Sequence, residues 1–183
     1  MGIHRQFGAF AVAVTILICA LQATEGAAKL KGRKEKVSNL EFYFHDRVSG
    51  KSVTAVEVAS APSTKTSATS FGSLFVMDDP ITEGPEPTSK LVGRAQGLYA
   101  SAGQEEVHLL MAVTYVFQGG EFNGSTIAMV GNNAVFSEVR EMAIVGGSGK
   151  FRLARGFCLA HTHSFDIKSR NAVVHYNVTV HHH

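Results

Sequence analysis

Short runs of alternating apolar and polar residues recur along the chain from residue 40 onward, a pattern typical of half-buried β-strands. The runs cover residues 40–46, 53–59, 71–77, 92–100, 107–117, 122–130, 139–145, 151–163 and 172–180. Glycine-rich turns and two proline-containing loops, residues 60–70 and 82–90, separate them. No window of helical length after residue 28 shows a 3.6-residue period. The pattern predicts an all-β domain.

Both sides of the fifth run are largely apolar, so this strand needs cover on both faces. One side carries Val107, Leu109, Met111, Val113, Tyr115 and Phe117, and the other carries His108, Leu110, Ala112, Thr114 and Val116. A lumen inside and a second subunit outside would provide that cover, which favours a closed barrel over a sandwich. We therefore predict an eight-stranded antiparallel β-barrel with a central apolar pocket for one small ligand, and we expect it to form a homo-oligomer.

The first 28 residues differ in pattern from the rest of the chain. His4 and Arg5 precede an apolar run over residues 7–21, and small residues follow at 23 and 26–28. This order predicts a secretory signal peptide over residues 1–28, because the apolar run is shorter than the about 20 residues of a membrane-spanning helix. Residues 29–38 are basic and predict a flexible N-terminal arm. The barrel is expected over residues 39–180, and residues 181–183 are interpreted as a histidine tail.

Composition limits the partners and the cysteine chemistry. The 17 Lys and Arg residues against 15 Asp and Glu give a net charge of +2, too little for the clustered basic face of a nucleic-acid-binding protein. Cys19 lies in the signal peptide, which leaves Cys158 without a disulfide partner. Because Cys158 lies in an apolar strand, a buried small side chain is favoured over a nucleophile. The sequons at Asn123 and Asn177 predict glycosylation of a secreted protein.

Three blocks of residues stand in a specific order and spacing. The first is FYFHD at residues 42–46. The second comprises FGS at 71–73, MDDP at 77–80 and VGRAQGLY at 92–99, and the third comprises VREMAIVGGSG at 139–149, FR at 151–152 and ARG at 154–156. Together these blocks resemble the plant dirigent family, and the resemblance spans essentially the whole chain after the signal peptide.

The resemblance implies an eight-stranded barrel, usually a homotrimer, secreted to the apoplast and acting on phenolic compounds. In the leading interpretation it gives stereoselectivity to the coupling of phenoxy radicals, for instance of coniferyl alcohol to optically active lignans. The sequence has no haem, flavin or copper motif, so no cofactor is expected and a separate laccase or peroxidase would supply the oxidation. The alternatives are a pterocarpan-synthase-like dehydratase that acts on an isoflavanol through a quinone methide, and a barrel that binds a phenolic without changing it.

Alternation along the first strand places Phe42, Phe44 and Asp46 on one face. If this face is the lumen, burial raises the pKa of the Asp46 carboxyl, which can then donate a proton to a leaving hydroxyl. The resemblance adds Tyr99 and Arg140 to Asp46 as catalytic residues, with Tyr99 bonded to a substrate phenol and Arg140 holding a phenolate.

The expected substrate-binding residues are Phe42, Phe44, Asn133 and Thr162. The segment at 131–133 departs from relatives that have a second pocket carboxylate there, because Asn133 cannot act as an acid. Asp79 is interpreted as a turn former in an Asp-Asp-Pro segment that ends the third strand.

His161, His163 and His175 lack a pattern that completes a metal site, so no metal is expected there.

Overall fold

A computed structural model describes residues 34–183. This part of the chain forms nine strands and two short 3₁₀ helices, at Pro62–Thr66 and Gly149–Phe151. The strands are β1 (Lys36–Asp46), β2 (Ala55–Ala59), β3 (Leu74–Thr82), β4 (Leu91–Ser101), β5 (His108–Phe117), β6 (Thr126–Ala134), β7 (Arg140–Ser148), β8 (Arg155–Phe165) and β9 (Ala172–His182). Neither helix in the described part is long and apolar enough to cross a bilayer.

Eight of these strands close into an antiparallel barrel. From β3 to β9 each strand pairs with the next one along the chain, and β1 pairs with β9 over its whole length. The ring closes where Tyr43 and Phe44 of β1 pair with Thr82 and Ile81 of β3. The short strand β2 pairs with the first half of β3 as an additional edge strand. The predicted eight-stranded antiparallel barrel is confirmed.

The third strand does not end at the Asp-Asp-Pro segment, so that prediction was wrong. β3 runs through Asp78, Asp79 and Pro80 to Thr82 and pairs with β4 throughout. On its other edge, β3 pairs with β2 up to Met77 and with β1 only from residue 81. Pro80 lies between these two ladders, where its missing N–H interrupts neither of them.

The barrel includes more of the chain than the predicted range 39–180, because β1 begins at Lys36 and β9 ends at His182. Residues 36–38, expected in the flexible arm, begin β1 and pair with residues 180–182 of β9, which were partly expected in the histidine tail. Ser38 Oγ and His182 Nε2 are 2.8 Å apart, and His182 packs edge-on against Phe151. Backbone pairing with a distant strand orders these ends, which local composition does not reveal. The predicted signal peptide and residues 29–33 of the arm lie outside the described residues.

Aromatic rings fill the middle of the barrel. The Phe42 ring lies 4.9 Å from that of Tyr115 and 5.8 Å from that of Tyr176, and all three side chains are at most 1% exposed. Cys158 is buried and free, as the sequence predicts. Because these side chains occupy the centre, the buried polar groups lie toward the two ends of the barrel, with Asp79, Asn133 and Arg140 at one end and Ser125 and His182 at the other.

Candidate functional site

The strand register brings most of the predicted site residues to one end of the barrel. Asp46 is the last residue of β1, and Arg140 is the first residue of β7. Tyr99 and Asn133 lie near the ends of β4 and β6. Adjacent strands are antiparallel, so the ends of β1, β4, β6 and β8 and the starts of β3, β5, β7 and β9 meet at the same rim. This rim is called the Asp46 end below.

Asp46 has the properties of a buried acid. Its Oδ1 atom is buried without a hydrogen-bond partner among the described residues. Burial raises the pKa of Asp46 to about 6, although a hydrogen bond from the Tyr99 hydroxyl opposes the increase. A carboxyl with this pKa is protonated in mildly acidic solution and can donate its proton to a bound ligand.

Tyr99 is held rigidly beside Asp46. Its ring stacks on Phe75, with centroids 5.0 Å apart and planes 11° apart, and only 6% of the residue is exposed. Burial, followed by the charges of Asp46 and Asp79, raises the pKa of Tyr99 far above its ordinary value. The hydroxyl therefore stays protonated and acts as a hydrogen-bond donor.

Asp79 is the residue of this site that sequence reasoning missed. It is fully buried, Thr54 Oγ1 donates a hydrogen bond to its Oδ1, and its Oδ2 has no partner among the described residues. Burial first, and then the charge of Asp46, raise its pKa to about 8. Its alternation with buried Met77 and Ile81 could have revealed it, but only if the strand had been continued through Pro80. A second carboxyl is thus present, on β3 instead of at Asn133.

Arg140 is a buried cation at the same end. Only 4% of the residue is exposed, Nε donates to Asn133 Oδ1 at 3.1 Å, and Nη1 donates to the Ser137 carbonyl at 3.3 Å. Within residues 34–183, no carboxylate forms a salt bridge with its guanidinium. Burial lowers the pKa of Arg140, and the Tyr176 hydroxyl opposes that change. A guanidinium in this state fits an oxyanion such as a phenolate.

The other predicted binding residues, Phe42, Phe44 and Thr162, lie at different depths along the barrel. Thr162 is exposed and lies on the same side of β8 as the buried Cys158 and Ala160, toward the open rim. Phe44 is buried, with its ring 5.8 Å from that of Tyr176. Phe42 lies deeper, so it forms part of the packed floor and is not at the polar rim.

A cleft of about 350 Å³ opens at the Asp46 end. Pro87, from the loop after β3, and Phe165, from the end of β8, line it together with Asp46. The remaining lining residues are His45, Arg47, Ser164, Asp166, Ser169, Asn171, Ala172 and Val173. Of the predicted site residues, Asp46 lines this cleft, whereas Tyr99, Arg140 and Asn133 do not.

The side chains of both sequon asparagines are accessible. Asn123 lies in an exposed turn, where its Oδ1 accepts a hydrogen bond from the Gly119 N–H at 2.7 Å. Asn177 is exposed on the outer side of β9. Glycosylation at these positions, and the secretion that it requires, stay predictions.

The histidines of β8 and β9 lie among other ring side chains. His175 Nε2 is 2.7 Å from Glu41 Oε1, and its ring stacks on Tyr43. The His161 ring lies 6.4 Å from that of His175. Among residues 34–183, no group of three or more His, Cys, Asp or Glu side chains is arranged to hold a metal ion.

Comparison with known proteins identifies the family. The model of the family described as "Dirigent-like protein" matches residues 37–181, which covers nearly the entire barrel. The chain belongs to the dirigent family. It is 54% identical to dirigent protein 23 of Arabidopsis thaliana over 149 residues, 81% of this chain and 80% of that protein. It is 49% identical to pterocarpan synthase 1 of Glycine max over 151 residues, 82% of this chain and 81% of that protein.

Solved structures of dirigent proteins have the same fold. Two pterocarpan synthase dirigent proteins, each 47% identical to this chain, superpose with TM-scores of 0.75 and 0.77. The matches cover 81% and 82% of this chain and 89% and 98% of theirs. The barrel of this dirigent protein therefore has the family fold, which dirigent proteins and pterocarpan synthases share.

The buried carboxyl of Asp79 should make the stability of the barrel depend on pH. The folded state keeps the Asp79 proton up to about pH 8, whereas the unfolded chain releases it near its ordinary pKa of about 4. The folded state therefore binds more protons across this window, and the free energy of unfolding should fall as pH rises. In Asp79→Asn, the decrease in the free energy of unfolding between about pH 4 and pH 8 should be smaller than in the wild type by roughly 2–5 kcal/mol. Urea denaturation at several pH values measures it. Asp78→Asn is the control, since Asp78 is exposed; an equal effect of both substitutions would contradict the assignment.

Proposed function

We propose that this dirigent protein dehydrates a phenolic alcohol through a quinone methide and closes a ring with one handedness, in the manner of a pterocarpan synthase. The observation that carries this proposal is the Asp46 carboxyl, an acid with a pKa of about 6 buried next to the Tyr99 hydroxyl. A protonated carboxyl is the group that departure of a hydroxyl requires. The identity to pterocarpan synthase 1 of Glycine max supports the same chemistry.

The proposed reaction assigns a role to each group at the rim. The Asp46 carboxyl gives its proton to the leaving hydroxyl, the carbon–oxygen bond breaks, and water departs. The phenol opposite the leaving group loses its proton to solvent as the quinone methide forms, and Arg140 stabilises the developing negative charge on that oxygen. This oxygen regains a proton from solvent when ring closure restores the aromatic ring. A second phenolic hydroxyl of the same substrate then adds to the electrophilic carbon and returns its proton to Asp46. Tyr99 orients the carboxyl and offers a ring for stacking.

Removing the acid without changing its shape tests this proposal. Asp46→Asn should lower the turnover of a racemic isoflavanol roughly 10²- to 10⁴-fold, because an amide cannot donate the proton of a carboxyl. Product formation is measured by chiral chromatography. Asp78→Asn is the matched control, because Asp78 is exposed and its Oδ1 accepts a hydrogen bond from Arg94 Nε at 2.6 Å. Unchanged turnover in the Asp46 variant would remove Asp46 from the mechanism.

A second candidate is control over the coupling of phenoxy radicals that a separate laccase or peroxidase generates. The identities of 54% and 51% to two Arabidopsis dirigent proteins support it. Arg140 is also suited to hold a phenolic oxygen while two radicals combine on one face.

Coniferyl alcohol and a laccase distinguish this candidate from the first. If the chain directs radical coupling, the lignan product should be optically active only when the protein is present, whereas uncatalysed coupling is racemic. Chiral chromatography of the products is the measurement, with the laccase alone as the control. Racemic product in both reactions would exclude this candidate for coniferyl alcohol. Binding without any change in product, for either substrate class, would favour a carrier.

We also propose that the barrel forms a homo-oligomer, with a trimer as the favoured state. A row of outward-facing apolar residues crosses the sheet from β2 to β8 through directly paired positions. This outer belt consists of Val56, Val76, Leu98, Ala112, Val130, Ala143 and Phe157. Its five larger side chains are 37–51% exposed in the single chain. A contiguous apolar surface of this kind is rare on a soluble monomer and supports burial against further copies.

A charge in the outer belt should weaken this association. Val130→Glu would bury an unpaired carboxylate between subunits, which is strongly unfavourable. Light scattering at micromolar concentration should show the assembled mass for the wild type and a lower mass for the variant. Leu153→Glu serves as the control, since Leu153 is 61% exposed and lies outside the belt. A wild-type protein that is monomeric under these conditions would contradict the proposal.

A further inference from the structure

The point at which the barrel closes brings three side chains together from separate segments. On one edge of β3, Met77 pairs with Ala55 of β2, and Ile81 pairs with Phe44 of β1. Asp79 lies between them, at the position where β3 changes its partner. Thr54 comes immediately before β2, and its carbonyl accepts a hydrogen bond from the Asp78 N–H at 2.9 Å. The same closure places the end of β1, and hence Asp46, beside Asp79.

The hydrogen bonds at this point leave two carboxyl oxygens unsatisfied. Thr54 Oγ1 donates to Asp79 Oδ1. Asp79 Oδ2 and Asp46 Oδ1 are both buried, and neither has a hydrogen-bond partner among the described residues. Two neighbouring buried carboxylates, each with one oxygen that lacks a donor, are strongly unfavourable, so at least one of them keeps a proton. Asp79 is fully buried, whereas Asp46 lines the cleft.

We propose that Asp79 is a positioning residue that stores a proton for Asp46, so that the two carboxyls work as one acid. The proposal rests on the dehydratase function proposed above. When Asp46 gives its proton to the leaving hydroxyl, Asp79 remains protonated and can pass its proton to the Asp46 carboxylate. The phenol that closes the ring later returns one proton to the pair. The pair is thus restored after each turnover, and no further reactant is needed.

Two tyrosines and a histidine also lie near the pair. Tyr99 faces it from β4, and Tyr176 faces Asp46 from β9; burial raises the pKa of both hydroxyls well above neutrality. His45 precedes Asp46 on β1, and burial followed by the charge of Arg47 lowers its pKa.

The charges on the outer side of β3 and β4 are already paired. Arg94 Nε donates to Asp78 Oδ1 at 2.6 Å, and this bond holds the pKa of Asp78 below its ordinary value. Arg94 lowers and Asp78 raises the pKa of Asp79, and both effects are smaller than that of Asp46. A second ionisation near about pH 8 is therefore assigned to the carboxyl pair.

Nuclear magnetic resonance of the full chain, with ¹³C in the aspartate carboxyl carbons, tests the pair without any substrate. In the wild type, two carboxyls should titrate well above the ordinary range, near about pH 6 and about pH 8. In Asp46→Asn, the Asp79 signal should titrate at lower pH, because the negative neighbour is gone. In Asp79→Asn, only the lower of the two steps should remain. Glu121→Gln, on the loop at the opposite end of the barrel, should leave both steps unchanged.

Either of two results would overturn the proposal. One is a wild type in which every aspartate titrates below about pH 5. Because this titration needs no substitution, it decides the question even if a variant does not fold. The other is an Asp79 signal that does not move in Asp46→Asn. Neither result depends on turnover, so failure of the pair is distinguishable from failure of the proposed function.

The pH dependence of turnover then separates proton storage from a purely structural role. Wild-type kcat/KM for the isoflavanol should decline only above about pH 8, when the pair has lost its second proton. Asp79→Asn should shift this decline to about pH 6, where Asp46 alone ionises. Near pH 8 the loss should be roughly tenfold to a hundredfold, with less than about threefold loss near pH 5. An equal loss at both pH values would show a structural effect and overturn the proposal.

Discussion

Closure of the sheet is the constraint on which the rest of this molecule depends. A barrel needs β1 to meet β3, yet β3 also pairs with β2, so its edge is divided between the two strands. The division falls at Asp79 and Pro80, where proline interrupts no ladder and a carboxyl can point inward. The same geometry positions Thr54, the donor to Asp79. One topological requirement thus fixes the backbone and assembles two acids.

Burial then determines the chemistry of the rim. Aromatic rings fill the middle of the barrel, so the polar side chains at its end are partly shielded from water. Burial is the largest cause of the raised proton affinity of Asp46 and Asp79 and of the lowered affinity of Arg140. The Arg140 guanidinium donates hydrogen bonds to Asn133 and Ser137 and forms no salt bridge with a carboxylate of the described residues. Strongly perturbed pKa values in a group of buried ionisable residues are typical of functional sites.

Much of the fold followed from alternation alone. The period of two in β1 places Phe42, Phe44 and Asp46 on the inner face. One apolar face of β5 lines the barrel, and the other is partly exposed in the single chain, with Leu110 47% exposed. The resemblance of whole segments to the dirigent family pointed to Tyr99, Arg140 and Asn133 as site residues. The match of the family model to residues 37–181 confirms the family. The meeting of these three residues at one rim required the register of eight strands, which no local pattern encodes.

The amino-acid sequence by itself determined the all-β class and the side of β1 that carries Phe42, Phe44 and Asp46, because these depend on periodicity within single strands. The tertiary structure decided where pairing ends and which distant side chains meet. It extended β1 over residues 36–38 and β9 over residues 181–182, since backbone hydrogen bonds between the two strands outweigh the polar composition there. It also moved Asp79 from a turn into the interior, because Pro80 is tolerated where β3 changes partner. Proton affinity in the pair follows from that non-local contact and could not be read from either segment alone.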